Sequence, residues 1–97
     1  MNELDKILEK LKELKPELEK EYFVKEIGVF GSYVRNEQTV DSDIDILIEF
    51  REGMDLFKLA HLINWLGEIF GKKVDVANKK TLRPRIGKYI LAEVKYV

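Results

Sequence analysis

Val29-Phe-Gly-Ser-Tyr-Val-Arg-Asn-Glu-Gln-Thr-Val-Asp-Ser-Asp-Ile-Asp-Ile-Leu-Ile-Glu-Phe50 places a small-residue turn at a fixed distance before two carboxylates. Residues 27–30 read as a short buried strand, broken by Gly31-Ser32 where a helical turn over 33–37 can begin. Gly31 lets a backbone or a ligand come close. Ser32 is a natural N-cap, and the start of a helix presents free N–H groups and a positive dipole end to anions, phosphate above all. Residues 43–50 then alternate as a strand, with Ile44, Ile46, Ile48 and Phe50 on one face and Asp43, Asp45, Leu47 and Glu49 on the other. The two aspartates therefore point the same way.

Carboxylates held side by side on a strand repel each other, which costs stability unless a cation sits between them. Mg²⁺ binds through one or two carboxylates together with substrate phosphates. A phosphate-binding turn facing a metal-binding pair implies a nucleotide. Two blander readings compete. Asp41-Ser-Asp43-Ile-Asp45 with Glu52 has the spacing of an EF-hand calcium loop, but the sixth position, which must turn sharply, is Ile46 within an Ile-Leu-Ile run that favours a strand. A simple turn over 41–43 accounts for the aspartates and for Gly31-Ser32 separately, and leaves their spacing unexplained.

Gly31-Ser32, ten intervening residues and Asp43-Ile-Asp45 resemble the signature of the polymerase-beta-like nucleotidyltransferases. Phe30-Gly-Ser-Tyr-Val-Arg35 with Ser42-Asp-Ile-Asp-Ile46 is similar, more closely, to the minimal nucleotidyltransferases (MNT proteins), the antitoxin half of HEPN/MNT toxin–antitoxin pairs. The amphipathic N-terminal segment, Lys73-Val-Asp-Val76, and the closing run from Leu82-Arg-Pro-Arg-Ile86 to Ile90-Leu-Ala-Glu93 extend the resemblance over nearly the whole chain. Asn36 departs from the Gly often found after the Arg, yet Asn tolerates left-handed backbone better than most residues.

The resemblance implies an α+β fold with a small mixed sheet and helices packed on it. It implies two Mg²⁺ ions on Asp43 and Asp45, with Asp75 as third carboxylate, and a triphosphate held by Gly31, Ser32 and Arg35. It implies ATP as donor and, as acceptor, a tyrosine of a cognate HEPN toxin that becomes AMP-modified and silenced. An alternative is a non-catalytic antitoxin that neutralises its partner by contact alone, although such a binder has no need of three gathered carboxylates.

Composition narrows the field. The 97 residues are expected to form a single domain with one modest core and no separate substrate-binding domain. Cysteine is absent, so there is no disulfide framework and no thiolate ligand or nucleophile. With no signal peptide and no apolar run of membrane-spanning length, the expectation is a cytoplasmic protein. A formal net charge of −1 argues against bulk nucleic-acid binding, while masking a basic C-terminal third. There Lys72, Lys73, Lys79, Lys80, Arg83, Arg85, Lys88 and Lys95 are opposed only by Asp75 and Glu93.

Helical spacing of Leu4, Ile7, Leu8, Leu11 and Leu14 predicts a helix over 2–15, with Pro16 kinking it or opening a second short helix that ends near Tyr22. Asp55 is expected to cap a helix reaching Phe70, with Gly71 just past its end. Leu56, Leu59, Ile63, Leu66 and Phe70 read as its core stripe. Phe57, His61 and Trp65 lie opposite, an apolar face that suggests a protein interface or homodimer contact, or else cover by the N-terminal helix. His61 has no Cys or second His with which to share a metal.

Residues 73–77 read as a short strand in which Asp75, between Val74 and Val76, either faces solvent on an edge or, where the strand runs beside 43–50 and parallel to it because a helix connects them, lies near the same end as the aspartate pair. The strand ending at Phe30 must run antiparallel to 43–50, which makes the sheet mixed. Residues 78–81 read as a loop. A last helix follows, with Pro84 in its first turn and Ile86, Ile90 and Leu91 inward, and a short extended piece over 94–97 ends the chain.

Overall fold

The computed structural model describes residues 2–97. Helix α1 (Glu3–Glu21) is followed by β1 (Val24–Phe30), the single turn α2 (Ser32–Arg35), β2 (Ile44–Phe50), α3 (Leu56–Phe70), β3 (Val74–Asn78), α4 (Pro84–Glu93) and β4 (Lys95–Tyr96). The four strands form one sheet in the order β3-β2-β1-β4. β1 pairs antiparallel with β2 and with β4, and β2 pairs parallel with β3 through the α3 crossover. The expected mixed sheet is the observed one.

Alternation along β2 separates the two faces. Ile44, Ile46 and Ile48 join Ile27 and Val29 of β1 beneath Ile7, Leu11 and Leu18 of α1 and Leu62 and Leu66 of α3, all in one buried cluster. Each such side chain contributes about 1.5–3 kcal/mol by leaving water. Asp45 and Leu47 take the other face.

Helix α1 begins where the Asn2 side chain accepts the Asp5 N–H at 2.8 Å, and it runs through Pro16 as a single helix. The expected interruption does not divide it. Proline deprives the carbonyl of residue 12 of its partner, and Lys12 and Pro16 are both exposed, so water can serve that carbonyl. Leu11 and Leu18, fully buried on either side, anchor the helix.

Helix α3 has the expected ends. The Asp55 side chain accepts the Lys58 N–H at 2.8 Å, and Gly71, at φ +65°, closes the helix in the left-handed conformation. Its buried stripe, however, is turned from the one read in the sequence. Leu62 and Leu66 are fully buried, Leu59, Trp65 and Phe70 are partly buried against the core, and Leu56 is 81% exposed. The rotation follows from Tyr22, which sits at the end of α1 and is itself 6% exposed. Its ring stacks on Trp65 with centroids 5.3 Å apart, and its hydroxyl meets His61 Nδ1 at 2.9 Å. The face assigned to Phe57, His61 and Trp65 is therefore divided, with Trp65 covered by the end of α1 and Phe57 89% exposed.

Residues 79–81 form a single 3-10 turn where a loop was expected. In α4 only Gly87 and Ile90 are buried, whereas Ile86 and Leu91, expected inward, are exposed. This ten-residue helix approaches the strands closely at few points and lies outside the main buried cluster. Its exit is tightly placed, because a Cβ on Gly28 of β1 would lie 2.8 Å from the Lys95 carbonyl oxygen and from Val94 Cγ2. The close approach lets β4 pair with β1 at Gly28–Tyr96 and Val29–Lys95.

Candidate active site

The end of β1 delivers the chain into Gly31 at φ +83°, ψ −152°, a conformation that L side chains seldom adopt. Space favours the same residue, since a Cβ there would collide with Asp45 Oδ2 and crowd Asp45 Cγ at 3.0 Å. Gly31, and not Ser32, is the N-cap of α2, and no side-chain cap bond forms. Ser32 is the first helical residue. A backbone at Gly31 with positive φ turns α2 at once, and its carbonyl accepts the N–H groups of Val34 and Arg35 at 3.1 and 3.2 Å. Asn36 ends the turn at φ +58° in left-handed geometry, the role read for it in place of the usual glycine.

The connecting loop is held by its own side chains: Ser42 Oγ accepts the Thr39 N–H at 2.8 Å, and the Ser42 N–H returns to the Thr39 carbonyl at 3.1 Å. Asp43 lies one residue before β2 and pairs with the Lys73 ammonium at 3.8 Å. Asp45, on the strand, is opposite Phe30 on one side and Asp75 on the other. The parallel direction is the one expected from the crossover, and the register brings Asp75 of the edge strand level with Asp45. Asp75 is exposed, while Asp43 and Asp45 are half-buried.

Burial, first, and then the charges of Asp75 and Asp43 push the Asp45 carboxyl above its ordinary range. Such an environment penalises the anion until a cation arrives, and the oxygen-only donor set suits a hard divalent ion. Among the described residues no three acidic or histidine side chains close into a ready-made metal cage. Asp75 and Asp43 are near enough for their charges to act on Asp45, but Asp45 lines the cavity with Gly31 and Arg35 whereas Asp75 lines a separate one beside α3.

Two donors expected for phosphate are already engaged. The Gly31 N–H donates to Glu93 Oε2 at 2.6 Å, and Arg35 Nη1 donates to both carboxylate oxygens of Glu93 at 2.9 and 3.0 Å. Arg35 Nε also donates to Glu37 at 2.9 Å. Phe30, Gly31, Arg35, Asp45, Tyr89 and Glu93 line a cavity of about 300 Å³ that Ile86 and Ile90 complete. Sequence spacing could not pair Gly31 with a residue 62 positions away. A local signal existed nonetheless, because an acid in the last turn of a helix opposes the macrodipole, and such a conflict points to a partner elsewhere.

Comparison with known proteins identifies the family and the fold. The profile of the nucleotidyltransferase domain family matches residues 4–97. The chain is 47% identical over 83 residues to the protein adenylyltransferase MntA of Thermococcus cleftensis, covering 86% of this chain and 84% of that one. A structure provisionally identified as a minimal nucleotidyltransferase superimposes with TM-score 0.81 at 29% identity, over 97% of this chain and 95% of the other. A Shewanella oneidensis complex of a tri-AMPylated HEPN toxin with its MNT antitoxin shares the fold, with TM-score 0.61 and 21% identity over 95% of this chain and 66% of that one. The match over residues 4–97, the MntA relative and the shared mixed-sheet fold show that the chain belongs to the nucleotidyltransferase domain family as one of its minimal, MntA-like protein adenylyltransferases.

Proposed function

We propose that this protein transfers AMP from ATP to a tyrosine hydroxyl of a HEPN-type toxin and thereby silences it. The observation that carries the reading is the meeting of Gly31 and Arg35 with Asp45, and of Asp45 with Asp75, along one edge of the sheet. The two donors converge on one anion, the Glu93 carboxylate, and Asp75 stands in register with Asp45 on the neighbouring strand.

In this scheme the Gly31 N–H, the Ser32 hydroxyl and the Arg35 guanidinium hold the β- and γ-phosphates, the last through charge-assisted bonds. Asp43, Asp45 and Asp75 would hold two Mg²⁺ ions, which when bound would supply Lewis-acid activation of the attacking oxygen and charge compensation for the leaving pyrophosphate. The acceptor oxygen attacks the α-phosphorus, its new bond forming as the bond from that phosphorus to the bridging oxygen of pyrophosphate breaks, and the hydroxyl proton passes to a carboxylate. Asp75 is exposed on the edge strand, where a hydroxyl borne by another protein can reach it. The adenylylated HEPN toxin found with the Shewanella MNT protein supports the choice of acceptor. Leu56 and Phe57, both more than four-fifths exposed at the start of α3, offer apolar surface for that partner or for a second copy of the chain. No helix among the described residues is long and apolar enough to cross a membrane.

The test is to incubate the protein with labelled ATP, Mg²⁺ and the product of the neighbouring gene, beside Asp45→Asn. Label on a tyrosine of that product, lost with the variant, is the expected result. Full neutralisation of the partner by both proteins, with no AMP incorporated by either, would make this a contact antitoxin instead.

A further inference from the structure

We propose that Glu93 is an internal stand-in for substrate phosphate, occupying the anion seat of Gly31 and Arg35 so that ATP must displace it to bind. The inference rests on the reading of that turn as the triphosphate site, and it names the residue that sets the site's affinity and selectivity. Glu93 presents two oxygens to one backbone N–H and one guanidinium nitrogen at 2.6–3.0 Å, the contacts that two phosphate oxygens would make. Its carboxylate lines the same cavity as Asp45.

Its position is set by the fold and runs against local preference. Glu93 is the last residue of α4, where the dipole disfavours an acid. The pairing of β4 with β1 brings the end of α4 beside Gly31, and the Val97 N–H to the Ile27 carbonyl at 3.1 Å secures the strand beyond it. Glu93 also adds to the negative charge around Asp45. A merely structural ion pair has no need of the Gly31 N–H. A seat filled by a carboxylate lowers the affinity of every anion that must displace it by the same factor, so a ligand with further contacts elsewhere, such as a metal-bound triphosphate, still binds where a weak anion does not.

Binding of Mg·ATP and of inorganic tripolyphosphate to the whole chain, without acceptor, tests this in wild type, Glu93→Gln, Glu93→Ala and Glu37→Gln, with thermal unfolding of each. Glu37 pairs with Arg35 on its exposed side, so Glu37→Gln removes one equivalent charge while leaving the seat filled. Both Glu93 variants are expected to bind roughly tenfold more tightly, the worth of one charge-assisted hydrogen bond, and Glu37→Gln no more than about twofold. Weaker or equal binding by a folded Glu93→Gln protein, or an equal gain from Glu37→Gln, overturns the proposal. If no form binds Mg·ATP, the nucleotidyl-transfer reading falls with it, whereas wild-type binding without a gain in the Glu93 variants overturns the stand-in alone.

Discussion

Asp45 is the residue on which the opposing demands of stability and chemistry meet. Its carboxyl is raised above the ordinary value of 3.8 by burial and by Asp75 and Asp43. In the unfolded chain the group titrates near its ordinary value, so below that pH it is protonated in both states and costs nothing. As pH rises through the raised native value, the folded state must carry an anion that it disfavours, and stability is lost. Without metal, Asp45→Asn is therefore expected to melt a few degrees above wild type at neutral pH and to match it in acid, a difference that thermal scans at several pH values measure. The same variant is expected to lose AMP transfer, because an amide is a far poorer ligand for Mg²⁺. Gly31→Ala acts at the same contact from the other side. Its methyl group collides with Asp45 Oδ2 and its φ is strained. A destabilisation of about 1–3 kcal/mol in urea titration, with loss of transfer, is the expected outcome.

At the scale of elements, the joint between α1 and α3 depends on Tyr22. The Tyr22 ring spans Trp65 and His61, and burial, then Glu17 and Glu21, raise its hydroxyl pKa so that it stays a neutral donor or acceptor. Trp65→Ala removes the stack and leaves a gap at the end of α1. The expected cost is about 2–3 kcal/mol in denaturant unfolding with assembly state unchanged. Phe57→Ser, on the exposed side of the same helix, is expected to stay within about 0.5 kcal/mol of wild type and to weaken partner binding if that surface is used. The ends of α3 were legible because Asp55 and Gly71 act locally. Its buried stripe was not, because a helix carrying apolar residues on several sides is oriented by the surface it meets, here Tyr22 and the sheet.

For the whole molecule, the narrow approach at Gly28 controls how the C-terminal segment closes the site. A side chain there meets Lys95 and Val94. Gly28→Val is expected to push β4 from β1, lower stability by about 1–3 kcal/mol and loosen Glu93 from Gly31. Thermal unfolding reads the first effect. Faster amide exchange at Gly31 and Val97 reads the second.

Local chemistry alone determined the left-handed Asn36, the caps of α3 and the alternation that separates Asp45 from the isoleucines, since each depends on neighbours within a few residues. Chain direction through one helical crossover was enough to place Asp75 near the same end as the aspartate pair, while its register opposite Asp45 came from the pairing of the strands. Tertiary structure decided what required contact between distant segments: the rotation of α3 against Tyr22, the outward turn of Ile86 and Leu91, and the seating of Glu93 on Gly31. The physical reason is common to all three. Periodicity shows that a side chain is apolar, and spacing that a group is charged, but which surface buries the one and which donor meets the other is settled only when the sheet brings residues far apart in sequence to the same edge.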